Sequence, residues 1–362
     1  MSEMVKKDLR SMGIDDMTAL LKEMGQPAFR AKQLFGWVHE KQVQHIDDMH
    51  NLGKGLLAQL NEQCEITAMQ LERKQVSKDG TEKFLFQLAD GNYIECVLMR
   101  YRGDMSKQRN TLCISSQVGC AMGCTFCATG QGGFVRNLTA GEIVSQVYAV
   151  NHQLIEEGDT LPVGNVVLMG MGEPFDNIGH VLQALTLMTA DYGLAWSPKR
   201  ITVSTVGVRR GLVRFLEESP CHLAVSLHNP FANERLEMMP AENAFSLTEF
   251  LPMLAKMDWT HQRRLSFEYI VFGGLNDTLR HARELVRLLA PMECRVNLIR
   301  FHEIPDSPFH GAQEETMVWL RDYLTQHGVT TTIRASRGQD IWAACGLLNT
   351  KNKEAALQGA QE

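Results

Sequence analysis

The chain has 362 residues, a formal net charge of -6, 44% apolar and 22% charged residues, which leaves room for one large domain of α/β-barrel size and a smaller one. No run of about 18 apolar residues offers a membrane span, and the start MSEMVKKDLR lacks the apolar core of a secretory signal, so a cytoplasmic protein is expected. The negative balance weighs against broad contact with polyanions, which local basic clusters can still supply, and nine cysteines in a reducing compartment read as metal ligands or reactive thiols before disulfides.

In chain order, residues 1–64 read as a small helical module. The stretch 14–24 carries apolar residues at helical spacing and stops at Gly25-Gln26-Pro27, where glycine and proline end a helix. A second helix is expected over 28–43, with Phe29, Leu34, Trp37 and Val38 near one face, and a third over 53–64. From Met69 to Tyr101 the pattern changes to short alternating runs broken at Lys78-Asp79-Gly80 and Ala89-Asp90-Gly91-Asn92. Such punctuation predicts a small antiparallel sheet, with a basic linker, over 65–105. The stretch 100–110 holds Arg100, Arg102, Lys107 and Arg109 and serves equally as a basic contact or a solvated linker.

Thereafter strands are expected at 111–115, 165–169, 200–205, 223–226, 265–271, 296–301 and 330–334, with helices at 140–153, 180–187, 208–217, 247–257, 279–289 and 314–327. Repeated strand-to-helix alternation implies parallel pairing with right-handed crossovers, hence an open or closed α/β barrel over 106–348. Its chemistry is expected in the loops at the carboxyl ends of the strands. The tail 349–362 is polar and expected to be flexible.

Three cysteines, Cys120, Cys124 and Cys127 in QVGCAMGCTFCATGQ, follow the first of these strands. Their CxxxCxxC spacing, with Phe126 before the last, supplies three thiolates and no local fourth. A closed zinc site takes four protein ligands, and so does an ordinary four-iron cluster. Three thiolates on a four-iron cluster leave one iron open to chelate the amino and carboxylate groups of S-adenosylmethionine, whose one-electron cleavage gives a 5'-deoxyadenosyl radical. A zinc site and three buried structural thiols are the rivals; the spacing and its flank favour the radical cluster.

Further candidates stand at later strand ends. In Met169-Gly170-Met171-Gly172-Glu173-Pro174, paired glycines permit close backbone approach and Glu173 offers an acceptor for an ammonium group. Ser204 and the segment Ser226-Leu227-His228 face the same expected mouth, although a polar residue at a strand end is more often a local hydrogen bonder. Cys113 lies on the strand feeding the cysteine loop, and Cys345 follows the last strand; either is a reactive thiol or an inert small hydrophobe. Cys64, Cys221 and Cys294 read as inert, and Glu95, between Ile94 and Cys96, as an exposed strand residue.

Taken together, CISSQVGCAMGCTFCATGQGGFVRNLTAGEIV, MGMGEP, STVGV, VSLH, FEYIVFGGLND, NLIRFH and TTIRASRGQDIWAACG resemble the RlmN/Cfr family of radical S-adenosylmethionine rRNA methyltransferases. The resemblance runs from the N-terminal helices to about Leu348, and GQGGFVRNLT with GEP is closer to the carbon-2 branch than to the carbon-8, Cfr-like branch. It implies a radical S-adenosylmethionine partial barrel carrying a small N-terminal helical plus antiparallel-β accessory domain, the helices binding RNA. It further implies one [4Fe-4S] cluster per chain on Cys120, Cys124 and Cys127, and two S-adenosylmethionine molecules per turnover, the first methylating Cys345. The implied catalytic residues are Cys345 as methyl carrier, Cys113 as base and resolving thiol, and Glu95 as a rival base, with Cys113 favoured. The implied cofactor contacts are Gly172, Glu173, Ser204, Ser226, Leu227, His228 and His302. The family usually has asparagine where this chain has His302, and an imidazole can donate the same hydrogen bond. Met169 or Met171 falls near the second cofactor by the same resemblance.

The implied substrate is an adenosine of the peptidyl-transferase centre in 23S rRNA, with the adenosine beside the anticodon of some tRNAs as a candidate second. An electron donor such as flavodoxin, no membrane and a monomer complete the expectation. Arg30, Lys32, Lys199-Arg200, Arg209-Arg210 and Arg263-Arg264 are candidate phosphate contacts, each of which alone reads as a solvated face. Rival readings are carbon-8 methylation, a radical activase acting on protein, which has no use for Cys345, and an iron–sulfur carrier, which closes its cluster with a fourth cysteine.

Overall fold

The computed structural model describes residues 6–103, 108–191, 194–259, 264–304 and 307–348. Lys107, Arg263 and the tail 349–362 lie outside the described residues. The Gly13 N–H donates to Asp16 Oδ2 at 3.0 Å and opens α1 (Ile14–Glu23), whose Met17, Leu20 and Leu21 are buried. Gly25, at φ +68°, follows its end. The helix expected over 28–43 divides: α2 (Arg30–Phe35) widens into a π turn at Gly36–Glu40. After α3 (Lys54–Gln63), the short parallel pair β1 (Lys7–Asp8) and β2 (Cys64–Glu65) ties the two ends of the module together.

This module sits directly on α5 (Ala140–Glu156). Arg10 is 4% exposed and donates to the Thr67 carbonyl at 2.6 Å, the Val43 carbonyl at 3.0 Å and Ser145 Oγ, on α5, at 3.0 Å. His39 Nδ1 lies 2.9 Å from the Tyr148 hydroxyl. The approach is so close that a Cβ on Gly141 would fall 2.1 Å from Asp8 Oδ2.

The strands β3 (Gln70–Val76), β4 (Glu82–Gln87) and β5 (Tyr93–Tyr101) are antiparallel, as their turns predict. They do not form a separate small sheet. β5 pairs with β6 (Arg109–Cys113), Val97 opposite Cys113 and Tyr101 opposite Arg109, so the hairpins extend the barrel sheet and satisfy the backbone groups that β6 would otherwise leave at an open edge. Within this sheet every further strand pairing is parallel, from β6 through β9 (Val163–Leu168), β10 (Ile201–Thr205), β11 (His222–Ser226), β12 (Leu265–Val271), β13 (Cys294–Arg300) and β14 (Thr330–Ile333). The result is one open ten-stranded sheet in the order β14-β13-β12-β11-β10-β9-β6-β5-β4-β3.

The crossover helices α5, α6 (Ile178–Thr189), α7 (Arg209–Glu218), α9 (Leu247–Leu254), α10 (Leu279–Leu289) and α11 (Glu314–Gln326) fall where periodicity places them. Thr139 and Glu142 cap α5 reciprocally, a signal readable in the sequence. Besides β1 and β2, the elements not anticipated include the hairpin of β7 (Gln117–Gly119) and β8 (Phe134–Asn137), the single turn α4 (Ala128–Gln131), and α8 (Ala232–Met238). Each is too short for periodicity to register. Among the described residues no helix is long and apolar enough to cross a membrane.

Candidate active site

The β7–β8 hairpin pinches the chain so that the cysteine loop projects from its apex. Gly119, at φ +75°, faces Gly133 so closely that a Cβ would sit 1.9 Å from the Gly133 carbonyl oxygen, and Cys120 N–H donates to that oxygen at 3.0 Å. Inside the loop Cys127 N–H donates to the Cys124 carbonyl at 3.1 Å, which begins α4. Cys124 packs with Phe126, Met238, Met239, Ile270 and Phe272. Burial pushes the Cys120 thiol up to about 12 and the Cys124 thiol higher still, and the charge of neighbouring thiols adds to both shifts. Mutually repelling thiols in a dry pocket are ligands in want of a cation. Among the described residues no three His, Cys, Asp or Glu side chains converge tightly enough to hold one metal ion.

The three thiols border a cavity of about 850 Å³ that also takes in Gly172, Glu173, Ser204, Ser226 and His228. Gly172 stands at φ +96°, and a Cβ there would meet Gln117 Cβ at 2.4 Å; the glycine is required first by close packing of two loops. Glu173 is 3% exposed. Its Oε1 accepts from Phe175 N–H and its Oε2 from Val206 N–H, both at 2.9 Å. Burial nevertheless pushes its carboxyl up to about 7 against those donors. The Thr205 side chain bonds it as well, but all these donors are neutral, and an ammonium group would supply the missing countercharge.

His228 sits in the left-handed region at φ +56°, fixed by Asn276, which donates to its carbonyl at 2.6 Å. Burial drives its imidazole down to about 3, so the ring is neutral. Because Nδ1 accepts the Ile270 N–H at 3.0 Å, the proton belongs on Nε2 and can be donated into the cavity. Leu227 differs: its side chain is wholly buried in the core, its N–H goes to Glu268 O and its carbonyl to Arg235. It does not line the cavity. His302 is also absent from this wall; it hydrogen-bonds Ser336 Oγ at 2.9 Å and borders a neighbouring cavity. Met169 lines the first cavity, whereas Met171 is buried and its sulfur accepts the Glu95 N–H at 3.4 Å.

The chain after β14 brings Cys345 to the same mouth. Asp340 accepts from Ser77 Oγ at 2.5 Å and from Lys78 N–H at 3.1 Å, and Gly338 N–H donates to Asp79 at 3.0 Å. On the other side Ala128 N–H donates to the Gly346 carbonyl at 2.8 Å, and Thr129 Oγ1 to the Leu348 carbonyl at 2.6 Å. The segment is thereby strapped between the β3–β4 turn and the cysteine loop. Cys345 faces the first cavity and a second, of about 590 Å³, that it shares with Cys113 and Cys127. It is exposed to the cavity space yet recessed among protein atoms, which raise its thiol. Burial pushes Cys113 up to about 12, and the Cys345 charge adds to the shift. Five thiols thus border two cavities joined at Cys127 and Cys345.

Glu95 is not the exposed strand residue that alternation suggests. It is 3% exposed and ion-paired with Lys83 at 3.1 Å, because Lys83 and the segment after β14 cover that face of β5; Lys83 also donates to the Trp342 carbonyl at 3.3 Å. Glu95 lines neither thiol cavity.

Two arginines escaped the sequence reading. Arg334 lines both thiol cavities and donates to Glu268 Oε2 at 3.1 Å. Burial disfavours its charge, but Glu268 and the Cys345 and Cys113 thiols hold the guanidinium above its ordinary value; reciprocally, it lowers both thiols. Arg235, wholly buried, donates to the carbonyls of Val206, Ser226 and Leu227 at 2.6, 3.0 and 3.0 Å and so fixes the β10 and β11 ends that carry Ser204, Ser226 and His228. For Arg334 the one available signal was a charge at the end of an apolar strand, in TTIR; Arg235, on α8, offered none.

Residues 7–66 match the family model described as the ribosomal RNA large subunit methyltransferase N-terminal domain, and residues 114–289 match that of the radical SAM superfamily. A probable dual-specificity RNA methyltransferase RlmN from Bacteroides fragilis is 50% identical over 351 residues, covering 97% of this chain and 98% of the relative. A protein of the same description from Bacillus cytotoxicus is 40% identical over 353 residues, covering 97% of this chain and 96% of the relative. A crystal structure of a radical SAM methyltransferase from Sphaerobacter thermophilus superposes with a TM-score of 0.87 at 37% identity, covering 95% of this chain and 99% of that one.

Proposed function

The chain belongs to the RlmN family of radical S-adenosylmethionine RNA methyltransferases, and from that premise we propose that it methylates carbon 2 of an adenosine in 23S rRNA, and of tRNA beside the anticodon, with Cys345 as the methyl carrier. The observation that carries the reading is the shared cavity of Cys345 and Cys113, which opens beside the three-thiol loop. Cys120, Cys124 and Cys127 would hold the four-iron cluster; Glu173, Ser204, Ser226 and His228 would hold S-adenosylmethionine. When bound, these groups supply a 5'-deoxyadenosyl radical.

Carbon 2 of adenine is electron-poor, so it does not attack a methyl sulfonium directly. A sulfur that carries the carbon removes this polarity mismatch. Cys345 accepts the methyl group as a thioether, and its carbon, once activated by loss of a hydrogen atom, bonds to carbon 2. Release then requires loss of the carbon-2 proton and of the odd electron, which a bound cluster would take back, followed by scission of the carbon–sulfur bond. In this account Cys113 does both: it takes the carbon-2 proton and then attacks Cys345 Sγ as a thiolate, its proton passing to the departing carbon, which becomes the methyl group, and the disulfide left behind is reduced afterwards by an external thiol. Glu95 is disfavoured because its carboxylate is occupied by Lys83 away from the thiol cavities. Arg334 favours the thiolate form of both cysteines, which burial alone opposes. Cys345 Sγ, not the adenine, is in this account the acceptor of the first methyl group.

Mass spectrometry of nucleosides from a reacted 23S rRNA fragment tests the assignment. We expect 2-methyladenosine; 8-methyladenosine as the product would move the chain to the carbon-8 branch.

A further inference from the structure

Acidic partners neutralise most arginines around the β5, β6, β13 and β14 ends. Arg100 pairs with Glu82, Glu157 and Asp159, Arg102 with Asp159, Arg300 with Glu314 and Arg334 with Glu268. Arg109 and Arg337 are the exceptions. Their guanidinium carbons lie 4.0 and 4.5 Å from the centre of one ring, Tyr101, and among the described residues neither has a carboxylate partner. Two cations gathered on one ring repel each other, and no described residue supplies an anion to offset them. Tyr101 and Arg337 also line a cavity of about 840 Å³ whose wall includes Val97, Met99 and His302 and which reaches Cys345.

We propose that Arg109, Tyr101 and Arg337 form the clamp for the RNA backbone beside the target nucleotide, the guanidiniums taking phosphates while the target base enters this cavity to meet Cys345. The inference rests on the RNA methyltransferase reading. A base must leave its stack to reach an enclosed thiol, at a cost of a few kcal/mol, and phosphate contacts on the flanking backbone hold it out while carrying no sequence information of their own. Arginine suits the task because its planar fork meets two phosphate oxygens at once, and the tyrosine ring offers a face for a neighbouring base.

The test is equilibrium binding of the full-length protein to a 23S rRNA fragment containing the target adenosine, measured against KCl concentration. The R109Q/R337Q double variant is expected to bind at least 10-fold more weakly, with a log–log salt slope shallower by about 1.4, the loss of roughly 0.7 per single-strand phosphate contact. The single variants R109Q and R337Q should each show about half the change in slope, which keeps the test open if the double variant fails to fold. R102Q, whose arginine is already neutralised by Asp159, should leave the slope unchanged. Wild-type slopes in the Arg109 and Arg337 variants, or a slope lost equally in R102Q, would overturn the clamp. A wild-type protein that methylates Cys345 but never RNA would overturn the RNA reading itself, a distinct outcome.

Discussion

Arg10 and Arg334 both stand in crowded surroundings, the first at the joint between the N-terminal helices and α5, the second at the mouth of the partial barrel. At the joint, the terminal nitrogens of Arg10 donate to two carbonyls and a serine hydroxyl from three separate segments, and burial lowers its pKa. Its planar donor fork is what the site uses, and its charge is a burden. At the mouth, Arg334 shares its charge with Glu268 and two thiols and faces open cavities on more than one side. The joint pairs both terminal nitrogens of Arg10 from within the chain and leaves its buried Nε without a partner, whereas the mouth leaves a raised carboxyl, raised thiols and guanidiniums without carboxylate partners for a ligand to complete. A buried charge marks a functional site here only where its partners are titratable and space remains beside them.

The largest expected contrast comes from altering the two arginines in parallel. R334Q should slow methylation of Cys345 at pH 7, since loss of the neighbouring cation lowers the thiolate fraction, and the rate should recover as pH rises. R334K keeps the charge and should retain most of the rate. The order reverses at the joint: R10K loses the fork and should cost about 2 kcal/mol of unfolding free energy by leaving a buried carbonyl unpaired, without moving the pH–rate profile. A shifted profile in R10K, or an unshifted one in R334Q, would break the comparison.

A smaller effect sharpens the joint's side. Burial, reinforced by Arg10, depresses His39 from 6.5 to about 3, so the unfolded chain takes up a proton that the folded chain refuses. Stability is therefore full above pH 6.5 and is lost as pH falls toward 3, by roughly 1.4 kcal/mol per pH unit from this group. H39Q should flatten that part of the stability curve in denaturant titrations run from pH 7 to pH 4; an unchanged slope would remove His39 as its source.

Much of this was legible in the chain. The bounds Leu265–Val271 and Leu279–Leu289 follow from period-2 and period-3.6 runs with clear ends, and the cysteine loop follows from spacing alone. What escaped depends on pairing across long separations. Whether β5 stops in a small sheet or joins β6 is decided by register, which no local pattern carries. Glu95 looked wet because alternation reports one covered face and cannot foresee that Lys83, held by a carbonyl 259 residues further on, covers the other. Arg235 is wholly buried because three carbonyls from two strand ends need a donor, and in the sequence it is one charge among several in ANERLEM.

The most direct test of Cys345 as carbon carrier is mass analysis of the C113A variant after reaction with S-adenosylmethionine, reductant and a 23S rRNA fragment. If Cys113 releases the product, RNA should remain covalently attached to the peptide containing Cys345, visible as a band that survives denaturing electrophoresis. Free methylated RNA formed at the wild-type rate, with Cys345 recovered unmodified, would contradict the account.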